Sequence, residues 1–349
     1  MKAYERLLNY VKVPTPSNEK SGTHPSSECQ RVLADQLAEE MKALGVSDVR
    51  VEDKCYVYGK IPATKGYEGK TKLGFIAHMD TVSDFADHAV NPIVHENYDG
   101  KDLKLADSGR TLEVSVFPHL PSLAGRTLIT SDGTTVLGAD DKAGVAEIMT
   151  LAEALLAGEI PHGPISIGFT PDEEIGEGPD FFDVPGFDAE FAYTVDGGDL
   201  GELEYENFNA AGAKLIIDGH SVHPGSAKNK MLNAILLAQE FQNLLPVHEN
   251  PSATDGYEGF YHPDSITGSV DHVVVDYIIR DHNMEKFEQK KRFFLQCADF
   301  LNAKYGKKLF TVDLKDSYYN MKEKILPENA HLIDNACLLY TSDAADEGL

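Results

Sequence analysis

The chain has 349 residues, of which 57 are acidic and 31 are basic, giving a formal net charge of −26 at pH 7. Nucleic acids and anionic membrane surfaces are bound through clustered Lys and Arg, so this balance excludes both as expected partners. No long uncharged apolar run predicts a membrane span, and the N-terminus lacks the apolar core of a secretory signal. The 4 cysteines are isolated in the sequence, which is typical of a reduced, cytoplasmic protein.

The first part of the chain alternates helical and strand-like patterns. Apolar residues at helical spacing predict helices over 4–13, from Ser26 or Ser27 to Gly45, and over 142–157. Short apolar runs predict strands over 49–51, 56–61, 73–77, 165–170 and 191–195. Between them, 84–123 is polar and irregular. Strands that alternate with helices favour an α/β fold with a mixed, partly parallel sheet flanked by helices.

The pattern changes after about residue 208. Strands are predicted over 214–217, 272–280 and 309–314, and helices over 231–245 and 284–305. About a hundred residues of this kind are enough for a small α+β domain inserted into the first. We therefore expect a catalytic domain over 1–207, an inserted α+β domain over 208–320, and the start of a returning catalytic segment over 321–336.

Short polar clusters follow several predicted strands, at the positions where ligands bind α/β sheets. In the first cluster, His78 and Asp80 are two residues apart on an extended chain and therefore face the same way. A carboxylate next to a histidine is the usual support of a metal ligand. Alone, the pair is better explained as two polar surface residues.

Acidic pairs form two further clusters. Asp140 and Asp141 lie at the predicted start of a helix, where capping of the first turn is an equally good explanation for one acid but leaves the second unexplained. Glu173 and Glu174 follow a strand and point to opposite sides, so one would bind a metal while the other handles a proton. A solvated acidic loop is the alternative.

Asp196 completes the set, although alone it is better explained as the first residue of a turn. His78, Asp140, Glu174 and Asp196 together form a histidine and carboxylate group, which suits zinc or a similar divalent ion. Two such ions can share one bridging carboxylate and activate a water between them.

Through these motifs the chain resembles the tripeptide aminopeptidases of the di-zinc exopeptidase family, which also includes aminoacylases, glutamate carboxypeptidases and dipeptidases. The resemblance implies two zinc ions per subunit. It makes His78 and Asp196 ligands of one ion and Asp140 the bridge. Glu174 becomes a ligand of the second ion. It also implies that Asp80 orients the histidine and that Glu173 is the general base.

The inserted domain carries two further positions that match the family. His223, directly before Pro-Gly, resembles the lid histidine that binds the substrate carbonyl, often from the partner subunit of a homodimer. Arg280, at the end of a predicted strand, resembles the residue that holds the substrate's C-terminal carboxylate. Without the family, an exposed turn and a surface arginine are the simpler explanations.

The resemblance also implies residues beyond about Ala336. Members of the family continue with an Arg-Gly-Gly-Thr-Asp-Gly-like segment and a late Asn-x-His that supplies a fifth metal ligand, and neither occurs in this sequence. Residues 337–349 are similar to the in-frame translation of a sequencing-library adapter. We therefore expect a C-terminally truncated chain with a non-native tail, weak zinc binding at the second site and little activity.

The function predicted from the sequence is hydrolysis of the N-terminal residue from tripeptides. Two alternatives stay open. One is another di-zinc hydrolase of the family, a dipeptidase or an N-acyl amino acid deacylase. The other is a non-catalytic relative that binds peptide or metal, against which Glu173 argues because a pure binding site needs no unligated base.

Overall fold

A computed structural model describes residues 1–86, 88–106, 108–158, 160–198 and 201–341. The chain divides into two compact units, Met1–Gly198 and Asp199–Leu349. Most of the expected non-native tail, from residue 342 onward, lies outside the described residues. Within the described ranges, no helix combines the length and the apolar character needed to cross a membrane.

The first unit contains nine described strands: β1 (Ser47–Val51), β2 (Val57–Ile61), β3 (Leu73–His78), β4 (Pro92–His95), β5 (Leu103–Lys104), β6 (Thr111–Leu112), β7 (Leu128–Ser131), β8 (Ile165–Thr170) and β9 (Phe191–Thr194). Five of them form the main sheet in the order β1-β2-β8-β3-β9. β3 is parallel to β8 and β9, whereas β2 is antiparallel to both β1 and β8. The expected mixed, partly parallel sheet is confirmed.

The helices of this unit are α1 (Ala3–Tyr10), α2 (Gln30–Leu44), α3 (Ala139–Leu156) and the short α4 (Val184–Phe187). α2 places an apolar side chain on one face every fourth residue, and Leu33, Leu37 and Met41 are all completely buried. They share a core with α3 and the apolar residues of the sheet. The helix ends at Gly45, whose φ of 96° is left-handed and favours glycine.

The expected start of α2 was wrong. Neither Ser26 nor Ser27 caps the helix, which begins at Gln30. The Ser26 hydroxyl donates to Asp172 instead, and the Ser27 hydroxyl donates to the carbonyl of Pro16. Long-range hydrogen bonds therefore use the two hydroxyls that the sequence pattern assigned to the first helical turn.

The parallel strands bring the predicted site to one edge of the sheet. β3 and β8 end in register, with His78 beside Thr170, and β9 ends at Thr194 on the other side of β3. The clusters that follow these strands therefore emerge at the same edge. The site is built there because parallel strands share the direction of their carboxyl ends.

The second unit is a four-stranded antiparallel sheet in which β11 (Phe260–Gly268), β12 (His272–Asp281), β10 (Asn209–Asp218) and β13 (Phe310–Tyr318) lie side by side in that order. Its helices are α5 (Ala234–Gln242), α6 (Met284–Tyr305) and α7 (Lys322–Thr341). Buried residues alternate along β12 and join a core with Phe241, Phe287 and Phe294 of the helices.

β11 was not predicted from the sequence. Its central residues, Pro263, Asp264 and Ser265, have low strand propensity, and the pairing with β12 is irregular there. β11 is an edge strand, where a proline without an N–H is tolerated. Pairing with β12 therefore keeps β11 extended, although its own sequence does not favour a strand.

Candidate metal centre and active site

His78, the last residue of β3, is buried and meets three carboxylates. Its Nε2 atom lies 2.9 Å from Oδ1 of Asp140, and 3.7 Å from carboxylate oxygens of both Glu173 and Asp196. These acids come from the start of α3, the turn after β8 and the turn after β9. The fold thus gathers at one imidazole the residues that the sequence places up to 118 positions apart.

Asp80 supports this arrangement from behind. It has no solvent exposure, and its Oδ1 lies 3.4 Å from Nδ1 of His78. Its two carboxylate oxygens accept the backbone N–H groups of Glu173, at 3.0 Å, and of Glu174, at 3.1 Å. One buried carboxylate therefore holds both the histidine ring and the backbone that carries the two glutamates.

The two aspartates at the start of α3 have different surroundings. The Asp140 side chain is 71% exposed and faces His78. Asp141 is buried and accepts the N–H groups of Gly144, at 3.0 Å, and of His78, at 3.1 Å. Both aspartates have non-helical backbone angles, so Asp141 caps the regular helical turns that follow it, as one explanation of the pair expected. Asp140 faces the site instead.

Glu174 lies on the same turn as Glu173, and its Oε1 accepts the N–H of Val82 at 3.1 Å. Two groups of donor atoms at this edge lie within 4.8 Å of one another: His78 with Asp140 and Glu174, and His78 with Asp141 and Asp196. The structure brings six predicted residues together here: His78, Asp80, Asp140, Glu173, Glu174 and Asp196.

The carboxylates of the centre repel one another, and His78 offsets this repulsion only in part. Burial raises the pKa of Glu173, Glu174 and Asp196, and neighbouring carboxylates raise it further, although His78 acts the other way. Burial lowers the pKa of His78, but the hydrogen bond and the charge of Asp80 outweigh this and raise it to about 10. The positive charge of His78 alone is therefore too small to balance the carboxylates around it.

This donor set fits divalent metal ions. Imidazole nitrogen and carboxylate oxygen are the ligands that zinc accepts, and a cation relieves the repulsion that raises these pKa values. The carboxylate behind His78 Nδ1 is the support that metal-bound histidines usually have. A metal centre therefore explains both the identity of these side chains and their crowding.

Sequence reasoning missed the contact of Asp141 with β3 and the burial of Asp172, the acid that precedes the two glutamates. Asp172 is completely buried and adopts a left-handed φ of 57°. Nothing in a run of adjacent acids shows which of them turns inward.

An apolar cavity of about 520 Å³ also opens beside His78, Glu173 and Asp196.

The remaining predicted residues, His223 and Arg280, belong to the second unit. His223 is exposed, and its Nδ1 accepts the N–H of Gly225 at 3.1 Å. The Arg280 guanidinium lies 5.8 Å from the ring centre of Phe208 and 5.9 Å from that of Tyr318. Its buried Nε has no hydrogen-bond partner within the described part of the chain. Their substrate roles stay predictions.

Comparison with known proteins shows which family this chain resembles. Residues 205–308 match the family profile of the peptidase dimerisation domain. The chain is 52% identical over 333 residues to peptidase T of Clostridium novyi (strain NT), covering 95% of this chain and 81% of that relative.

Two solved structures share the fold. The first is aminopeptidase PepT from Bacillus cereus ATCC 10987, with a TM-score of 0.71 and 23% identity, covering 95% of this chain and 79% of that one. The second is the YXEP protein of Bacillus subtilis, described as a dinuclear metal-binding peptidase of the M20 family. Its TM-score is 0.52 with 11% identity, covering 91% of this chain and 73% of that one.

The mixed sheet, the dimerisation domain and the histidine–carboxylate centre define a hydrolase of the metallopeptidase class. Within that class, the chain belongs to the peptidase T family, as its identity to the Clostridium novyi relative shows. The resemblance seen in the motifs is therefore confirmed, and with it the fold class and the assignment as an aminopeptidase.

Proposed function

We propose that the protein removes the N-terminal residue from tripeptides with a water held at two zinc ions. One observation carries this proposal: the convergence of His78, Asp140, Asp196 and two glutamates at the edge of the sheet. His78 and Asp196 would hold one ion, Glu174 would hold the second, and Asp140 would serve both. The histidine expected as the fifth ligand stays a prediction.

The number and type of the ions rest on chemistry and on likeness. The donors are those that zinc accepts, and the YXEP protein, which shares the fold, is described as binding a dinuclear metal. When bound, such ions lower the pKa of a water and polarise the peptide carbonyl. All other steps belong to side chains of this protein.

Glu173 is the proposed general base. Its side chain is 52% exposed and lies 3.7 Å from Nε2 of His78, too far for a hydrogen bond that would occupy it. Burial raises its pKa, as suits a carboxylate that must hold a proton between two steps. It takes a proton from the water and gives one to the leaving amine. Asp80 keeps its backbone in place.

The second unit supplies the proposed substrate contacts. His223 donates to the carbonyl oxygen of the scissile peptide, and Arg280 holds the C-terminal carboxylate. The planar guanidinium supports this role, because its forked donors match a carboxylate in two parallel hydrogen bonds. The aromatic rings of Phe208 and Tyr318 restrict where the guanidinium can point.

Assembly and location are part of the same proposal. The match to a peptidase dimerisation domain over residues 205–308 supports a homodimer formed through the second unit. The isolated cysteines support a reducing cytoplasm as the place of work. Small peptides are the expected partners there.

A substrate panel on the zinc-loaded protein tests the proposal. We expect the highest kcat/KM for tripeptides over dipeptides and N-acyl amino acids. Preference for a dipeptide or an acyl amino acid would instead identify another hydrolase of the same family. Absence of all hydrolysis in a folded, zinc-loaded protein would identify a non-catalytic relative.

Arg280 can be tested with the same panel. Arg280→Leu removes the partner of the substrate carboxylate, so KM for a free tripeptide should rise about 10-fold or more. The KM for the same tripeptide with an amidated C-terminus should change little. An equal rise in KM for both substrates would show that Arg280 does not bind the substrate carboxylate.

A further inference from the structure

The first unit contains a second histidine–carboxylate group, formed by His24, Asp172 and Glu177, which we term the His24 cluster. Donor atoms from all three residues lie within 4.8 Å of one another. None of the three was singled out by the sequence motifs. The cluster joins the segment before α2 to the turn after β8.

His24 is held tightly but not by hydrogen bonds. Its side chain is 5% exposed, and neither ring nitrogen has a hydrogen-bond partner among the described residues. The ring stacks on Tyr56, with centroids 5.6 Å apart and planes inclined by 14°, and it contacts Phe181 at 4.8 Å. A buried imidazole with no partner is costly, so its retention needs an explanation.

The distances within the cluster are those of ligands around one ion. Nδ1 of His24 lies 3.3 Å from Oδ2 of Asp172 and 3.7 Å from Oε2 of Glu177. Both separations exceed an ordinary N–H···O hydrogen bond. In a tetrahedral zinc site with bonds of about 2.0–2.1 Å, two ligand atoms lie about 3.3–3.4 Å apart.

Asp172 is oriented as a metal ligand would be. It accepts hydrogen bonds from the Ser26 N–H, at 2.8 Å, from the Ser26 hydroxyl and from the Gln30 amide, at 2.6 Å. Ligating carboxylates are usually fixed by such contacts. Glu177 is 45% exposed, which gives an ion and its remaining water ligand a route from solvent.

We propose that the His24 cluster is a further metal site, separate from the catalytic centre, which binds one zinc ion through His24, Asp172 and Glu177. The ion links the segment before α2 to the turn that carries Glu173 and Glu174. It completes the coordination of His24 Nδ1 and neutralises a carboxylate that has no solvent exposure. Its role is structural, because the donor groups at His78 in the described structure share no residue with the His24 cluster.

Zinc binding tests this proposal with a readout independent of turnover. Equilibrium dialysis against zinc, followed by elemental analysis, is made on the wild type and on His24→Gln and Glu177→Gln. Each variant should bind one zinc ion fewer than the wild type, or bind it about 10-fold or more weakly. Glu177→Gln is the safer variant, since this side chain is half exposed and its exchange leaves the fold intact.

Two further arms separate this site from the catalytic one. Asp140→Asn should weaken the catalytic ions but keep the zinc ion that His24→Gln removes. His119→Gln, an exchange of an exposed histidine in the same unit, should bind as much zinc as the wild type. Equal zinc content in the wild type, His24→Gln and Glu177→Gln would overturn the proposal.

Discussion

The two histidine–carboxylate groups of the first unit hold their imidazoles in opposite ways. At the catalytic centre, polar contacts fix His78, with Asp80 behind Nδ1 and Asp140 at 2.9 Å from Nε2. In the His24 cluster, aromatic rings fix the histidine, and its nitrogens have no hydrogen-bond partner in the described part of the chain. In the first arrangement, a carboxylate faces each ring nitrogen of the histidine. The second leaves a ring nitrogen that can bind a metal ion.

Both groups draw on one short turn after β8. Asp172 has a left-handed φ of 57°, and its side chain turns into the His24 cluster. The next two residues, Glu173 and Glu174, offer their N–H groups to Asp80 and their side chains to the catalytic centre. Three consecutive acids therefore serve two sites, because one backbone conformation separates them.

The largest effect is expected from the base. Glu173→Gln removes the proton acceptor but keeps the shape of the side chain, so kcat should fall about 10²–10⁴-fold. Zinc content should not change, because the amide replaces a group that we do not assign as a ligand. Steady-state kinetics and elemental analysis measure both quantities.

Glu68→Gln serves as the matched control, since Glu68 is an exposed acid on a loop of the same unit. Its kcat should equal that of the wild type. A Glu173→Gln protein with wild-type kcat would remove this residue from the mechanism and leave the role of the base open.

A smaller loss is expected when the shared support is altered. Asp80→Asn places an amide donor against the N–H groups of Glu173 and Glu174, which already donate there. We expect kcat/KM and zinc affinity to fall about 10–100-fold. The free energy of unfolding should drop by about 1–3 kcal/mol, because a buried N–H loses its acceptor.

Denaturant titration and kinetics on the same preparation check this result, with the exposed Asp99→Asn as control. A protein that loses stability but keeps its kcat/KM would mean that Asp80 supports only the fold. Loss of zinc affinity without loss of stability would mean that it acts on His78 alone.

The same contrast shows how far sequence reasoning reaches. Periodicity predicted α6 and β8 at the bounds found in the structure, because their burial follows directly from apolar spacing. The residues at the candidate metal centre were predicted from their places after buried strands and, for Asp140, at the start of a helix. β11 was missed because its partner strand, not its own composition, keeps it extended.

Roles within acidic runs were the hardest to predict. The sequence placed Asp140 and Asp141 together, yet Asp141 caps α3 and anchors β3 while Asp140 faces the site. Asp172 and His24 carried no motif at all, since they meet only when the segment before α2 folds onto the turn after β8. Local patterns cannot show which acid of a run turns inward, because that depends on contacts far away in sequence.

Chelation is expected to lower stability by a moderate amount. A metal present at about 100 times its Kd contributes about 2.7 kcal/mol per site, and its removal takes this away. In the metal-free protein, burial and the charge of Asp196 raise the pKa of Asp141 to about 8.

The sign of the pH dependence follows from that shift. The folded state keeps a proton that the unfolded chain releases above about pH 4, so the stabilisation is complete below that pH. It is lost as the pH rises towards about 8. Thermal unfolding with and without chelator, at several pH values, checks both effects. A chelated protein that becomes more stable between pH 5 and 8 would contradict the assigned burial of Asp141.

The smallest effect on catalysis is expected on the other side of the shared turn. Ser26→Ala removes the hydroxyl donor to Asp172 but keeps the backbone N–H donor of the same residue. The free energy of unfolding should fall by about 1.5–3 kcal/mol, as for a lost hydrogen bond to a charged group. Ser21→Ala removes a half-buried hydroxyl on the same segment whose hydrogen bonds are local, with Thr23, and should have a smaller effect. Because Asp80 holds the two glutamates independently, kcat should fall less in Ser26→Ala than in Asp80→Asn. Equal losses of kcat in the two variants would show that the turn moves as one piece and that its two sites are coupled.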